Sequence, residues 1–216
     1  MIPPFRLYLF DLDGTLVDSA SDICGTIQEV LYSSGRTDVP DDLLRRYIGR
    51  HLLDLFQDLG FPPGAIDPMI VDYRSIYAAR GHNNTSVYPG VAQMLASLDG
   101  LKSTATTKGT PMTKVILEKF GLLPFFNHVQ GTDGFPAKPE PDVILKSLEI
   151  LGVVPHECLM IGDAPSDMEA GRRAGVKTCG VTYGYGDLAA MKRFTPDFWI
   201  DHPSDLAVSG KGALKQ

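Results

Sequence analysis

Leu7-Tyr8-Leu9-Phe10 runs directly into Asp11-Leu12-Asp13-Gly14-Thr15-Leu16. The apolar run is typical of a buried β-strand, and the glycine and threonine predict a turn at its end. An unpaired carboxylate is costly to bury, so two acids one residue apart at a strand end indicate a bound cation, a substrate or both. For these residues alone, the alternative is an acidic turn on the surface.

Further apolar runs alternate with helical patterns along the chain. The other strands are predicted near residues 102–105, 127–130, 159–161, 176–181 and 198–200. Three helices, each followed by a glycine that favours a helix end, are predicted at 112–120, 142–151 and 167–174. This alternation predicts an α/β fold, a Rossmann-like doubly wound parallel sheet with helices on both faces.

One long segment after the first strand interrupts the alternation. It carries helical patterns and no strand pattern, with helices predicted at 23–32, 42–47, 52–59 and 66–79. We therefore predict an α/β core domain formed by residues 1–17 and 87–216, with a helical cap domain of residues 18–86 inserted into it. The tail, 209–216, is expected to be frayed.

The composition is that of a soluble globular protein, with 44% hydrophobic and 21% charged residues. The net charge of −6 gives no basic footprint for nucleic acid or anionic lipid. No apolar run approaches the roughly 20 residues of a membrane span, and the first residues lack the apolar segment of a signal peptide. Cys24, Cys158 and Cys179 are far apart and indicate free thiols in a reducing compartment. We expect a cytoplasmic monomer or homodimer without nucleic-acid or membrane partners.

Polar side chains also occur in three later loops that follow predicted strands or precede predicted helices. These residues are Thr106, Thr107, Lys108, Lys138, Asp163 and Asp167. Ligands of a parallel sheet bind beyond the carboxyl ends of its strands, so these groups are expected to lie near Asp11 and Asp13.

Each of these residues also has a simpler interpretation. The later acids, Asp163 and Asp167, could be helix N-caps. Lys138 could be an exposed lysine before a helix, Thr106 an ordinary strand residue and Lys108 a loop lysine. Only the complete set, in this order, favours a shared site.

In this order, and with a helical segment after the first motif, the set resembles the haloacid dehalogenase superfamily. It is most similar to the phosphatases of that family that carry a small helical cap, and among them to the phosphoglycolate phosphatase group. The resemblance implies that Asp11 is a nucleophile that forms an aspartyl-phosphate. It also implies that Asp13 is the general acid and base. Family members that replace the second acid tend to be dehalogenases or phosphonate hydrolases, so Asp13 favours phosphate esters.

Charge repulsion indicates that the site needs cations. Two like charges 4 Å apart repel by about 4 kcal/mol at an effective dielectric of 20, and here acids would face a phosphate dianion. Lys138 supplies one positive charge, and Mg²⁺, which suits an all-oxygen site, supplies two. The resemblance implies that the metal ligands are an Asp11 carboxylate oxygen, the Asp13 backbone carbonyl and Asp163. Asp167 would act through a water or orient Lys138.

The loop after the second core strand is expected to bind the phosphoryl group. The Thr106 hydroxyl can donate to a phosphoryl oxygen as charge develops, together with backbone N–H groups near Thr107 and Lys108. Thr107 stands where the family often has asparagine, and Ala164-Pro165 where a serine or threonine often follows the metal aspartate. These departures weaken any assignment to the particular substrate of the phosphoglycolate enzymes.

Substrate specificity is expected to come from the helical cap. Arg50 and His51 follow Gly49 between two predicted cap helices, and arginine pairs bidentately with carboxylates such as that of phosphoglycolate. The alternative for both residues is a solvated loop between helices. Tyr183 and Tyr185 stand among glycines, and they either border the entrance to the site or simply pack against neighbouring residues.

Taken together, the residues predict a magnesium-dependent phosphatase that hydrolyses a small phosphomonoester, phosphoglycolate or a related small phosphorylated metabolite. A sugar-phosphate mutase or a pyrophosphatase on the same scaffold is one alternative. A phosphate-binding regulatory protein without turnover is another. Asp13 argues against the last of these, because binding alone does not require a proton carrier.

Overall fold

A computed structural model describes residues 2–206, and the predicted frayed tail, 209–216, lies outside the described residues. The strands are β1 (Leu7–Phe10), β2 (Val17–Asp18), β3 (Ser86–Val87), β4 (Leu101–Thr104), β5 (Cys158–Gly162), β6 (Lys177–Val181) and β7 (Phe198–Ile200). Five of them form a sheet in the order β4-β1-β5-β6-β7, and every neighbouring pair is parallel. The predicted α/β fold with a parallel sheet is confirmed.

Strand β1 is buried on both faces of the sheet. Tyr8 and Phe10 pack into one hydrophobic core, which extends into the helices that follow β2. Leu7 and Leu9 point to the opposite face and pack into a second core. A strand covered on both faces has a continuous apolar run in its sequence, and this run predicted β1.

Nine α-helices occur in the described part of the chain. They are α1 (Ala20–Ser33), α2 (Asp41–Arg45), α3 (Leu52–Asp58), α4 (Pro63–Ala79), α5 (Val91–Ser97), α6 (Thr110–Lys119), α7 (Asp142–Leu151), α8 (Pro165–Ala174) and α9 (Leu188–Lys192). Short 3₁₀ turns occupy Leu123–Phe125, Pro155–Glu157 and Pro203–Leu206. Within residues 2–206, no helix has the length and apolarity that crossing a membrane requires.

Helices α1 to α4 lie in the segment predicted to be helical, between β2 and β3. The two short strands pair antiparallel, Val17 with Val87 and Asp18 with Ser86, so the chain enters and leaves this segment side by side. This pair of strands was not predicted from the sequence. The division into a core domain and a cap domain of residues 18–86 stays a prediction.

The predicted strand at 127–130 does not form as a strand. Only isolated bridges occur there, between Ser103 and His128 and between Thr106 and Gly131. Side chains make several of the hydrogen bonds that a regular strand would make through its backbone. The Asn127 amide oxygen accepts from the Lys102 N–H, and the Thr104 hydroxyl bonds the backbone of Gln130. The edge of β4 is therefore covered without a regular sixth strand.

The strand order determines where on the sheet the site lies. Along the sheet the order reverses next to β1, since the chain goes from β1 to β4 on one side and then to β5 on the other. Ligands of doubly wound sheets bind outside the carboxyl ends of the strands at such a reversal. Asp11 follows β1 and Asp163 follows β5, so both acids lie at this point.

Candidate active site

Asp11 continues the line of β1, because its backbone N–H donates to the Ile161 carbonyl at 2.9 Å. The chain then turns sharply: the Leu16 N–H donates to the Leu12 carbonyl, and Gly14 has a φ of +87°. A Cβ on Gly14 would lie 2.3 Å from Asp163 Oδ2. Glycine is thus required both for the left-handed backbone and for the close approach to Asp163.

Lys138 lies between two carboxylates at the bottom of the site. Its Nζ is 3.0 Å from Asp11 Oδ1 and 2.5 Å from Asp167 Oδ1, and all three side chains are buried. Burial by itself would lower the pKa of Lys138, but Asp11 and Asp167 together raise it above its ordinary value. Lys138 therefore carries a fixed positive charge beside Asp11 and is not an exposed loop lysine.

Asp167 has both carboxylate oxygens engaged. Oδ1 accepts from Lys138, and Oδ2 accepts from the Ala164 backbone N–H at 2.9 Å, at the start of α8. Helix α8 begins at Pro165, two residues before the start predicted at Asp167. Asp167 thus both stabilises the helix start and orients Lys138.

Asp163 is held by hydrogen bonds from two loops. Its Oδ1 accepts from the Thr15 hydroxyl at 3.2 Å, and its Oδ2 accepts from the Tyr185 N–H at 2.8 Å. A Cβ on Gly184 would lie 2.3 Å from the Asp163 Cβ, so the loop after β6 approaches this closely only with glycine there. Asp163 points into the site.

Asp11, Asp163 and Asp167 form a carboxylate cluster. One oxygen from each lies within 4.8 Å of the others, and all three are buried. Burial raises the pKa of Asp11 and of Asp163, and neighbouring acids add to the rise at both. Lys138 opposes the rise in the pKa of Asp11 but does not cancel it. Three carboxylates beside one ammonium leave an uncompensated negative charge. Oxygen ligands with that charge fit a hard divalent cation such as Mg²⁺.

The Asp13 carboxylate makes different contacts from those of the carboxylate cluster. Its Oδ1 accepts from the Ser19 hydroxyl at 2.7 Å, and its Oδ2 is 3.2 Å from Lys108 Nζ. The Lys108 ammonium also lies 4.3 Å from the centre of the Tyr77 ring of α4. Lys108 is therefore brought into the site, where it contacts both Asp13 and the helical segment.

Thr106 and Thr107 follow β4 at the same edge of the sheet. Thr106 is 1% exposed, and its hydroxyl oxygen accepts from the Lys108 N–H at 3.3 Å, which leaves the hydroxyl proton free to donate. Its carbonyl accepts from the Thr132 hydroxyl at 3.0 Å, which fixes the loop. Thr107 lines a neighbouring cavity.

Arg50 makes no ion pair with Asp11, Asp13, Asp163 or Asp167. Its guanidinium lies 4.5 Å from the centre of the Tyr47 ring, and 3.8 Å and 3.9 Å from the carboxylates of Asp54 and Asp58. It lines the same cavity as Thr107. The neighbouring His51 accepts from the Leu53 N–H and is the N-cap of α3. A contact between Arg50 and substrate therefore stays a prediction.

Most of the groups that hold the acidic side chains of the site were not predicted from the sequence. Besides donating its N–H to Asp163, Tyr185 bonds Asp18 Oδ1 through its hydroxyl at 2.6 Å, and that hydroxyl also accepts from the Ser19 N–H at 2.7 Å. The Tyr183 hydroxyl donates to the Thr15 carbonyl. Alternation of tyrosine and glycine at 183–186 was the available signal, but the partners of the two hydroxyl groups lie more than 160 residues away in the sequence.

Comparison with known proteins found a matching family model, similar sequences and similar structures. Residues 8–181 match the family model of the haloacid dehalogenase-like hydrolases. A phosphoglycolate phosphatase of Aquifex aeolicus is 35% identical over 205 residues, which cover 93% of this chain and 94% of that protein. A Clostridium perfringens protein with the provisional name of pyrophosphatase PpaX is 31% identical over 205 residues, with 93% and 95% covered. The structure of a haloacid dehalogenase-like family hydrolase from Streptococcus pneumoniae superposes with a TM-score of 0.87 at 26% identity, covering 94% of this chain and 96% of that one.

Proposed function

The chain belongs to the haloacid dehalogenase-like hydrolases, and on that premise we propose that it is a magnesium-dependent phosphatase that hydrolyses a small phosphomonoester through a phosphoryl group on Asp11. It is a hydrolase of the phosphatase type. The observation that supports the mechanism is the separation of the two acids of the first motif. Asp11 joins Lys138 and the carboxylate cluster, whereas Asp13 bonds Ser19 and Lys108.

Asp11 is suited to attack phosphorus. Lys138 binds its Oδ1, so the carboxylate is oriented, and the same ammonium can offset the charge of an arriving phosphoryl group. In the first step a bond forms between an Asp11 oxygen and phosphorus while the ester P–O bond breaks. The Thr106 hydroxyl is placed to donate to a phosphoryl oxygen.

Asp13 is suited to move the protons. In the first step it donates a proton to the departing alkoxide, and in the second it takes one from the water that attacks the phosphoryl group on Asp11. Ser19 and Lys108 hold its carboxylate in one orientation throughout. The products are the free alcohol, inorganic phosphate and the regenerated Asp11 carboxylate.

The metal would be held by carboxylate oxygens of Asp11 and Asp163 and by the Asp13 backbone carbonyl. When bound, Mg²⁺ supplies positive charge that offsets the acids and the phosphate dianion. Asp167 stays engaged with Lys138 and Ala164 and acts by positioning Lys138.

For the substrate, the similarity to a phosphoglycolate phosphatase supports a small phosphorylated metabolite. The similarity to PpaX makes pyrophosphate the second candidate. The mainly apolar cavity beside Asp13 favours an organic ester over pyrophosphate, because pyrophosphate has no apolar surface to bury there.

Phosphate release from a panel of phosphomonoesters and pyrophosphate, with Mg²⁺ or with a chelator, tests the proposal. We expect release that depends on Mg²⁺ and is absent from Asp11→Asn. A variant Asp11→Asn with near-native turnover would contradict the nucleophile assignment, and turnover that chelation leaves unchanged would contradict the metal. Phosphate binding without turnover would favour the regulatory alternative.

A further inference from the structure

A cavity of about 540 Å³ lies beside Asp13. The helical segment contributes α1, α4 and the loop before α3, and the core contributes the loops after β4. Asp13 and Lys108 form part of its wall, so the proposed proton donor faces it. The volume falls in the range of sites that take drug-sized ligands, about 300–1,000 Å³. A two-carbon leaving group such as glycolate would leave most of this space filled with water.

The walls of the cavity are mainly apolar and aromatic. The apolar and aromatic side chains include Ile23, Ile70, Tyr73 and Tyr77 from the helical segment and Met112 from the core. Tyr73 and Tyr77 stack with their ring centroids 5.6 Å apart and their planes within 9° of each other. An apolar ring in this space would remove that surface from water, whereas a small polar alcohol would not.

Positive charge remains available at the wall. In the part of the chain that the structure describes, Arg74 of α4 makes no ion pair and no side-chain hydrogen bond. The carboxylate of Asp133, across the cavity, already accepts from the Thr110 N–H at the start of α6. Lys108 is matched by Asp13. Arg50, the other arginine of the wall, lies near the carboxylates of Asp54 and Asp58. Among the arginine and lysine side chains of the wall, Arg74 is thus the one without an acidic partner in the described residues, and it can pair with an anionic group at the far end of a ligand.

We propose that this cavity binds the leaving group of the substrate, and that this group is an aromatic alcohol with a carboxylate distant from the ester. The inference rests on the proposed phosphatase function and specifies its substrate class. Asp13 would protonate the departing alkoxide, the ring would pack among Ile23, Ile70 and Tyr73, and Arg74 would pair with the carboxylate.

Three esters with leaving groups of similar acidity separate binding from chemistry: ethyl phosphate, benzyl phosphate and 4-carboxybenzyl phosphate. With the full chain and Mg²⁺, we expect kcat/KM for benzyl phosphate to exceed that for ethyl phosphate at least tenfold. We expect 4-carboxybenzyl phosphate to gain a further fivefold or more.

Arginine variants test the carboxylate contact. In Arg74→Gln, kcat/KM for 4-carboxybenzyl phosphate should no longer exceed that for benzyl phosphate. Benzyl phosphate itself should be hydrolysed within twofold of the wild-type rate. Arg193→Gln is the matched control, because Arg193 is also exposed and unpaired among the described residues but lies at the end of α9. It should leave all three values unchanged.

The outcomes separate this inference from the proposed function. Equal kcat/KM for ethyl and benzyl phosphate, or a preference for phosphoglycolate over both aromatic esters, would overturn the inference alone. An equal loss on all esters in Arg74→Gln would overturn the assignment of the carboxylate to Arg74. Absence of magnesium-dependent release from every ester would reject the proposed function and this inference with it.

Discussion

At the scale of single residues, Lys138 is the group on which the arrangement of charges depends. Its ammonium contacts Asp11 and Asp167, and both carboxylates are almost completely buried. A buried ion pair stabilises only when each charge keeps its partner, and loss of one partner leaves the other uncompensated. We therefore expect Lys138 to have both a structural and a catalytic role, and a variant must separate the two.

We predict that Lys138→Met lowers kcat/KM by at least about 100-fold, the usual scale for loss of one group that stabilises transition-state charge. Its free energy of unfolding should also fall, by about 3 kcal/mol, because two acids remain buried without their cation. Steady-state kinetics at a temperature where the variant is fully folded by circular dichroism measures the first effect separately.

Lys102→Met is the matched control. Lys102 is also buried, but its ammonium donates to the carbonyls of Leu98 and Gly100, at the end of the sheet away from Asp11. It should lose stability and keep its turnover per folded molecule. Equal turnover in the two folded variants would show that Lys138 is structural only.

The residues that lie together at the candidate site were largely predictable, and the residues that hold them were not. Asp11, Thr106 and Asp163 follow buried parallel strands, whose carboxyl ends meet at one edge of the sheet whatever the rest of the chain does. Ser19 and Tyr185 bond the acids through contacts that exist only after the loops have packed. Sequence spacing carries no signal for such contacts.

At the scale of elements, Asp22 joins the two ends of the helical segment. It lies on α1 with no exposed surface, and its carboxylate accepts from the Asn84 N–H, the Asn84 side chain and the Thr85 hydroxyl. These donors lie just before β3, where the chain returns to the core. Asp22 therefore joins the entry to the segment with its exit, next to Ser19 and the proposed acid Asp13.

We predict that Asp22→Ala lowers the free energy of unfolding by about 2–4 kcal/mol, because three donors lose a charged acceptor in a buried place. Urea denaturation with an unchanged m-value measures the loss. Asp67→Ala is the control, because Asp67 is exposed on α4 and makes no side-chain hydrogen bond or ion pair among the described residues. It should change stability by about 0.5 kcal/mol or less. Similar losses in both variants would contradict the role of Asp22.

Most helices were predictable, and the short elements were not. Helix α7 was predicted at its observed bounds because a proline precedes it and Gly152, with a φ of +63°, ends it. Helices α5 and α9 were missed, since seven and five residues are too few for a clear period. The pair of β2 and β3 has two residues in each strand, which is too short for any alternation to show.

At the scale of the whole molecule, all three cysteines are buried and free. Burial raises the pKa of the Cys24 thiol to about 11 and that of Cys179 to about 12, and it raises the pKa of Cys158 as well. The thiolate is the reactive form, so a raised pKa lowers reactivity at pH values below it. These thiols belong to the packed core and not to the chemistry.

We predict that the native protein at about pH 8 reacts with less than one equivalent of a thiol reagent on the timescale of minutes. After unfolding in guanidinium, all three thiols should react. Absorbance titration with an aromatic disulfide reagent measures both states. Rapid reaction of one thiol in the native protein would contradict the packing described here.

The direct test of the proposed mechanism is identification of the phosphorylated residue. Acid quench during turnover of a radiolabelled phosphomonoester, followed by borohydride reduction and peptide mass analysis, converts an acyl phosphate on aspartate to homoserine at that position. In the wild type we expect protein-bound label before reduction and homoserine at position 11 after reduction, which releases the labelled phosphate. Both should increase in Asp13→Asn with an activated ester, and neither should appear in Asp11→Asn. Label on a different residue, or undiminished labelling of Asp11→Asn, would contradict the assignment of Asp11 as the nucleophile.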